Sequence, residues 1–355
     1  MKSDREFALL VAACRATFAG DDVAETRAAA VGVDWRRLLD MARRHRVEAL
    51  AWHSVAPLDL SIPADVAAEF SARAAAIIER NLRTAIECAA LARTFEAAGI
   101  DLLFVKGLTL GALAYRSPYL KMGWDIDLLV APDRIADVAS MLSAAGYVPT
   151  IPAPPANLAE WHWRQKESDW HRPGGDFYLD LHSRLADHRG LITGIGMGSP
   201  RQPVTVAPGI DLPTLGPDEL FAYLCVHGAS SAWFRLKWIT DLAALLHAAN
   251  EAEIDRLYAR SQALGAGRAA GQALLLAERL YRTRLSKPLH AELRRDRATS
   301  WLADAAMAQL TKLREPTERR FGTATIHASQ LVLQPGWRPM LSELGRQAAE
   351  FVTAR

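Results

Sequence analysis

The segment Asp125-Ile126-Asp127-Leu128-Leu129-Val130 sets two carboxylates two positions apart at the head of an apolar run. In a strand, alternate side chains share a face, so Asp125 and Asp127 point one way while Ile126 and Leu128 enter an opposite, apolar layer. Like charges held that close repel unless a cation lies between them or one takes a proton. A hard divalent cation, Mg²⁺ or Mn²⁺, is the simplest remedy: it favours carboxylate, water and phosphate oxygens and leaves positions open for a substrate. The competing reading is an edge strand that carries charge to discourage pairing, but Leu128-Leu129-Val130 has the continuous apolar character of a central strand.

A third carboxylate is available in Tyr178-Leu179-Asp180-Leu181-His182. Alternation places Asp180 on a polar face with Tyr178 and His182, while Leu179 and Leu181 face the core. Upstream, Lys106-Gly107 follows the apolar run Leu102-Leu103-Phe104-Val105 and precedes a short helical pattern. A phosphate at such a turn meets the lysine charge, the close backbone approach that glycine allows, and the positive end of a helix. It is not a P-loop, because the glycine spacing and the closing Lys-Ser/Thr are absent.

Those residues need elements to hold them. From Asp4 to Ala98 apolar residues recur three and four apart in an Ala-rich background, ending in a long helix from about Pro63 to Gly99. Short strands and helices then alternate. A strand over Leu102–Val105 is followed by a helix near Thr109–Tyr115, a strand over Asp125–Val130, a helix from Pro132 to Ala145 and a strand near Tyr147–Ile151. Trp163–Trp170 and Asp176–His182 read as a hairpin turning at Arg172-Pro173-Gly174-Gly175.

From Pro217 the pattern is helical again, through Leu220–Val226, Trp233–Ala248, Ala252–Ala263 and Ala269–Tyr281. Gly322, Pro335, Gly336 and Pro339 argue against a continuous final helix before Met340. The expected fold is α+β, a mixed-sheet core flanked by helical regions. Its expected parts are an N-terminal helical region (1–99), an α/β core (100–190), a C-terminal helical region (191–315) and a C-terminal segment (316–355).

Composition excludes several classes. Lys and Arg total 42 against 40 Asp and Glu in 355 residues, so the chain has no global field that would capture nucleic acid indiscriminately. Cys14, Cys88 and Cys225 are odd in number and set in apolar surroundings, which suits core residues better than a disulfide framework or a zinc cluster. The start Met1-Lys2-Ser3-Asp4-Arg5-Glu6 mixes charges where a signal peptide has a basic segment and an apolar run. With no apolar stretch of membrane-spanning length, a cytoplasmic protein with no membrane partner is expected.

Other conspicuous residues have blander readings. Arg43-Arg44-His45-Arg46 is expected to be a solvated helix face. Trp161, His162, Trp163, Trp170 and His171 have the residue types to stack a base or a sugar, yet as alternating aromatics of a hairpin they are expected to pack. His162, His171, His182 and His188 lack zinc-ligand spacing.

Taken together, Lys106-Gly107, Asp125-Ile126-Asp127 and Leu179-Asp180-Leu181-His182 resemble the DNA polymerase β-like nucleotidyltransferase superfamily, in its branch of uncharacterised bacterial nucleotidyltransferases. The resemblance runs from about Trp35 to Leu246. It departs from the superfamily pattern at Leu108, where Gly or Ser is usual, and in the interval of sixteen residues between Leu108 and Asp125. The block from His227-Gly228 to Asp241 is similar to the helical segment that follows the catalytic domain in this branch.

The resemblance implies that Asp125, Asp127 and Asp180 are catalytic and bind Mg²⁺ or Mn²⁺, and that Lys106, Gly107 and Lys121 face phosphate. Lys237 is either a further phosphate contact or the surface ion-pair partner of Asp241, four residues on. His227 reads as a packed core residue. The implied reaction moves a nucleoside monophosphate from an NTP to an unidentified acceptor, a small molecule, peptide or glycan, and releases pyrophosphate. Two other readings share the site: a transferase with a nucleotide-sugar donor, and a noncatalytic nucleotide-binding or antitoxin-like module.

Overall fold

The computed structural model describes residues 5–20 and 23–353; residues 1–4, which carry most of the N-terminal reading and Asp4 of the expected first helix, lie outside these, as do the last two residues. The fold is α+β, with two compact units. One comprises residues 76–220, and the other residues 1–75 together with 221–355.

The unit 76–220 is built on a five-stranded sheet of β1 (Leu103–Phe104), β2 (Asp125–Leu129), β3 (Val148–Ile151), β4 (Glu167–Arg172) and β5 (Phe177–His182), in the order β1-β2-β5-β4-β3. Only β2 and β5 run parallel; the other pairs are antiparallel. One face is apolar. Ile126, Leu128, Leu179, Leu181 and Trp170 pack there against Ala85, Cys88, Leu91 and Phe95, a stripe of period three to four on the helix Ala64–Ala97. Burying one leucine fully is worth about 1.5–3 kcal/mol. A one-residue slip of β2 or β5 would lose several such contacts and drive carboxylates into the core, so the register is strongly specified.

The helix is also pinned by polar contacts. Buried Glu87 accepts from the Tyr147 hydroxyl (2.7 Å) and from Arg172 Nη2 (2.7 Å). Asn81 Nδ2 donates to the carbonyls of Tyr119 (2.7 Å) and Lys121 (2.8 Å), fixing the loop that leads into β2.

The expected strands at Leu102–Val105, Asp125–Val130 and Tyr147–Ile151, and the helices at Thr109–Tyr115 and Pro132–Ala145, are present within a few residues. The hairpin turning at Arg172–Gly175 is present as β4 and β5, but its first strand begins at Glu167 instead of Trp163. Asn157 caps a helix, Leu158–Arg164, by accepting from Glu160 N (3.2 Å). Trp161, His162 and Trp163 therefore belong to a helix and not to an alternating strand. A further hairpin, β6 (Arg201–Ala207) with β7 (Ile210–Leu215), lies in a stretch that the expected organisation assigns to the C-terminal helical region. Its Val204, Val206 and Leu212 join the apolar core of this unit.

The unit formed by 1–75 and 221–355 is helical. Three expectations fail there. The helix expected over Trp233–Ala248 spans only Leu236–Leu246, because Ala232 (φ 48°) and Trp233 (φ 51°) break the helical path. The Trp233 ring instead lies against Gly228, where a Cβ would come within 2.5 Å of it, which accounts for the glycine after His227. The last helix begins at Trp337, three residues early. Pro339 falls in its first turn, where the missing N–H has no helical partner to lose.

The basic run is likewise not a solvated face. Arg44 and His45 are buried at the end of the helix Trp35–His45. Arg44 donates to the carbonyls of Phe234 and Gln309, and His45 Nδ1 accepts from Leu236 N (3.0 Å).

Candidate active site

On the face of the sheet opposite the apolar core, alternation and register arrange side chains in a grid. Asp125 pairs with Tyr178 and Asp127 with Asp180 across the parallel strands. On β4, His171 stands beside Tyr178, Asp169 beside Asp180 and Glu167 beside His182. Asp127 and Asp180 are thus held side by side by neighbouring backbones and not by flexible loops. One atom each of Asp127, Asp180 and His182 fall within 4.8 Å of one another, the spacing of a group able to hold a metal ion.

Asp127 is the centre of the charge network. Its Oδ1 lies 2.6 Å from Lys106 Nζ and 3.1 Å from His182 Nε2. His182 Nδ1 lies 3.1 Å from Glu167 Oε2, outside hydrogen-bonding alignment. Lys166 Nζ pairs with Glu167 at 2.9 Å and approaches Asp187 at 4.0 Å.

The two central carboxylates titrate in opposite directions. Burial pushes the Asp127 carboxyl up, but Lys106 and His182 together hold it well below the usual carboxylate range. Burial, and then the charges of Asp127 and Asp125, push Asp180 well above that range. Without a cation beside it, Asp180 is the carboxyl that keeps a proton. Asp169 is also raised, by burial and then by Glu167.

Lys106 and Gly107 sit at the turn between β1 and the helix Leu108–Tyr115. Gly107 adopts φ 65°, ψ −124°, a region essentially closed to residues with a Cβ. That conformation starts the helix abruptly, with no side-chain cap on its N-terminal N–H groups. Lys106, Gly107, Leu108 and Thr109 line one pocket with Gly123, Asp125 and Asp127; the helix Ala64–Ala97 adds Asn81 and Thr84. Cys88, Phe104, Ile126 and Leu212 complete the lining, so this is a narrow crevice between the sheet and its helices; the lysine held against Asp127 beside a helix start without a side-chain cap is a combination suited to a metal-bound phosphate.

Four expected site residues therefore gather in one pocket, and Asp180 faces Asp127 from the next strand. Lys121 is different: it is buried in the loop before β2, and it is not among the residues lining the pocket. Lys237 lies on the helix Leu236–Leu246 in the other unit, where Asp241 is buried and not a surface residue.

The sequence reading missed His182, Glu167, Lys166 and Asp169 as parts of the site. His182 was detectable, since it shares the polar alternation of Asp180. The other three enter only because β4 pairs with β5 in this register, which no local pattern reveals.

The fold thus sets a Lys-Gly turn, an Asp-x-Asp strand and a third carboxylate on a parallel neighbour close together. The chain belongs to the family described as uncharacterised nucleotidyltransferase, whose model matches residues 32–282. It is thus an enzyme of the transferases that move phosphorus-containing nucleotidyl groups, and the match extends beyond the expected span of Trp35–Leu246. No curated protein and no solved structure matches the chain. Among the described residues no helix is long and apolar enough to cross a membrane.

Proposed function

We propose that the protein transfers a nucleoside monophosphate from an NTP to an acceptor hydroxyl or phosphate and releases pyrophosphate. The observation that supports this most is the convergence of Lys106, Asp127 and Asp180, in a family member, beside the uncapped start of a helix. The donor set suits a divalent cation: carboxylate oxygens of Asp127 and Asp180 with one imidazole nitrogen, and Asp125 two positions before Asp127 on the same strand face. Asp125, Asp127 and Asp180 would hold Mg²⁺ or Mn²⁺, which supplies positive charge to the phosphates in the transition state.

The chain's own groups account for the rest. Lys106 and the N–H groups at the start of the helix Leu108–Tyr115 take the β- and γ-phosphates and offset charge on the leaving pyrophosphate. The acceptor oxygen forms a bond to the α-phosphorus, and the bond from that phosphorus to the bridging oxygen breaks toward pyrophosphate. The acceptor proton passes to a carboxylate oxygen of Asp180, which is free to accept it once the cation offsets the charges of Asp127 and Asp125. His182, held against Asp127, fixes the orientation of that carboxylate.

The test is pyrophosphate release from each of the four NTPs by the purified protein and by Asp127→Asn. The expected outcome is metal-dependent turnover in wild type, reduced at least a thousandfold in the variant, on the order of the loss of one main electrostatic contact. Equal turnover in the two proteins contradicts the assignment.

A further inference from the structure

In the row of the grid nearest the start of β2 and β5, two rings, Tyr178 and His171, stand beside the Asp125 carboxylate. Tyr178, the register partner of Asp125, is 42 % exposed, and Trp124, the residue before Asp125, is 47 % exposed. Arg80 lies between them, its guanidinium 4.7 Å from the Trp124 ring centre and 5.9 Å from that of Tyr178. It is tethered there by donating to Trp124 O (2.9 Å) and by pairing with Asp176 (3.7 Å). On its other side Tyr178 stacks on His171, with ring centres 4.5 Å apart and planes at 21°. The outcome is a ladder of four flat groups, Trp124, Arg80, Tyr178 and His171.

Packing alone does not account for this ladder. Core aromatics of the same unit, such as Trp170, are almost fully buried, whereas these rings stand at a surface while the next row of the grid, Asp127 and Asp180, goes under cover. The ladder also adjoins the phosphate pocket directly: Gly123 and Asp125, on either side of Trp124, both line it, as does Asn81, next to Arg80. A nucleotide is a polyanion joined to a flat ring. The sheet offers the same two parts in the same order, cation-binding carboxylates and lysine at depth and flat π-faces at the rim.

We propose that Trp124, backed on one face by Arg80 and the stack of Tyr178 and His171 behind it, offers its other face as the stacking platform for the base of the nucleotide donor. The inference rests on the nucleotide reading of the Lys106 pocket and adds to it the part of the ligand that the charged residues do not recognise. Stacking on π-faces is tolerant of base identity, because every base has one. The platform thus confers affinity for nucleobases in general, purines above pyrimidines, and not strict choice of one base.

The test compares binding of Mg²⁺–ATP and of Mg²⁺–tripolyphosphate, which has the phosphates and no base, to wild type, Trp124→Ala and Trp124→Phe. Losing the base–aromatic stack is expected to raise Kd for ATP about tenfold or more in Trp124→Ala. Tripolyphosphate affinity should be unchanged throughout, and Trp124→Phe, which keeps a ring, should recover most of the ATP affinity. If Trp124→Ala binds ATP as wild type does, the platform assignment falls while the nucleotide reading stands. If ATP and tripolyphosphate weaken together, the ladder is a structural clamp on the site, and the assignment again falls. If wild type binds tripolyphosphate and ATP equally, no base site exists. If it binds neither, the nucleotide reading fails and this inference fails with it.

Discussion

Arg44 and Asp127 are both buried charges, one in each unit, and they are satisfied in different ways. The Arg44 guanidinium spends its donors on the carbonyls of Phe234 and Gln309, and its neighbour His45 accepts from Leu236 N. Nearby, Arg235 holds Glu315 through two contacts of 2.7 Å. Each charge there closes a backbone segment or meets an opposite charge. Around Asp127 the count does not close in the same way: Asp180 is set beside it in register, and Asp125 shares its pocket. A hub of the first kind exists to tie chain segments together. The second holds more negative charge than its structure uses, the expected condition of a site waiting for a cation.

The contrast predicts opposite consequences for removing one charge. In Asp180→Asn, nucleotidyl transfer should fall by three orders of magnitude or more, with folding stability unchanged or slightly raised, because relief of repulsion offsets the lost carboxylate. In Arg44→Met, stability of the helical unit should fall by on the order of 3 kcal/mol, since two buried carbonyls lose charged donors. Denaturant unfolding and pyrophosphate release, measured on both variants, read the two effects. A large stability loss in Asp180→Asn would reduce its site to another structural hub.

Titration sharpens the same comparison. The folded Asp180 carboxyl is raised, so the native state binds more protons there than the unfolded chain does, and wild-type stability declines as pH rises above the ordinary carboxylate range. Asp180→Asn should lack that decline, so its stability advantage over wild type should grow with pH. His45 behaves in the reverse sense. Burial and then Arg44 hold its imidazole well below the usual histidine value, so its contribution is present above about pH 6.5 and is lost as pH falls through that value. A pH series of unfolding curves on wild type, Asp180→Asn and His45→Gln checks both signs.

The smallest expected effect is at Glu315. Its side chain is 18 % exposed and holds Arg235 through two contacts of 2.7 Å, so Glu315→Gln, which keeps the shape and one acceptor oxygen, should cost about 1–2 kcal/mol and leave transfer activity unchanged.

The same contrast explains which features were legible in the sequence. Asp125, Asp127 and Asp180 announce themselves because strand alternation converts spacing into a shared face, and Lys106-Gly107 because a strand-to-helix turn has a recognisable chemistry. The contributions of Glu167, Lys166 and Asp169 depend on which strand lies beside β5, a tertiary fact with no local signature. Arg44 was misread for a related reason. A basic run resembles a solvated face, and only partners nearly two hundred residues away, Phe234 and Leu236, make it a core element. The β6–β7 hairpin escaped because Pro203 and Pro213, which face each other in it, argue locally against strands.

The central claim is that Asp127 and Asp180 form a divalent-cation site which completes itself around a nucleotide. Its most direct test is Mn²⁺ binding followed by electron paramagnetic resonance, with and without ATP, in wild type and Asp180→Asn. The account predicts one bound Mn²⁺ per chain in wild type, tightened by ATP, and affinity lowered at least tenfold in the variant. Equal Mn²⁺ affinity in the two proteins, or binding indifferent to ATP, would contradict it.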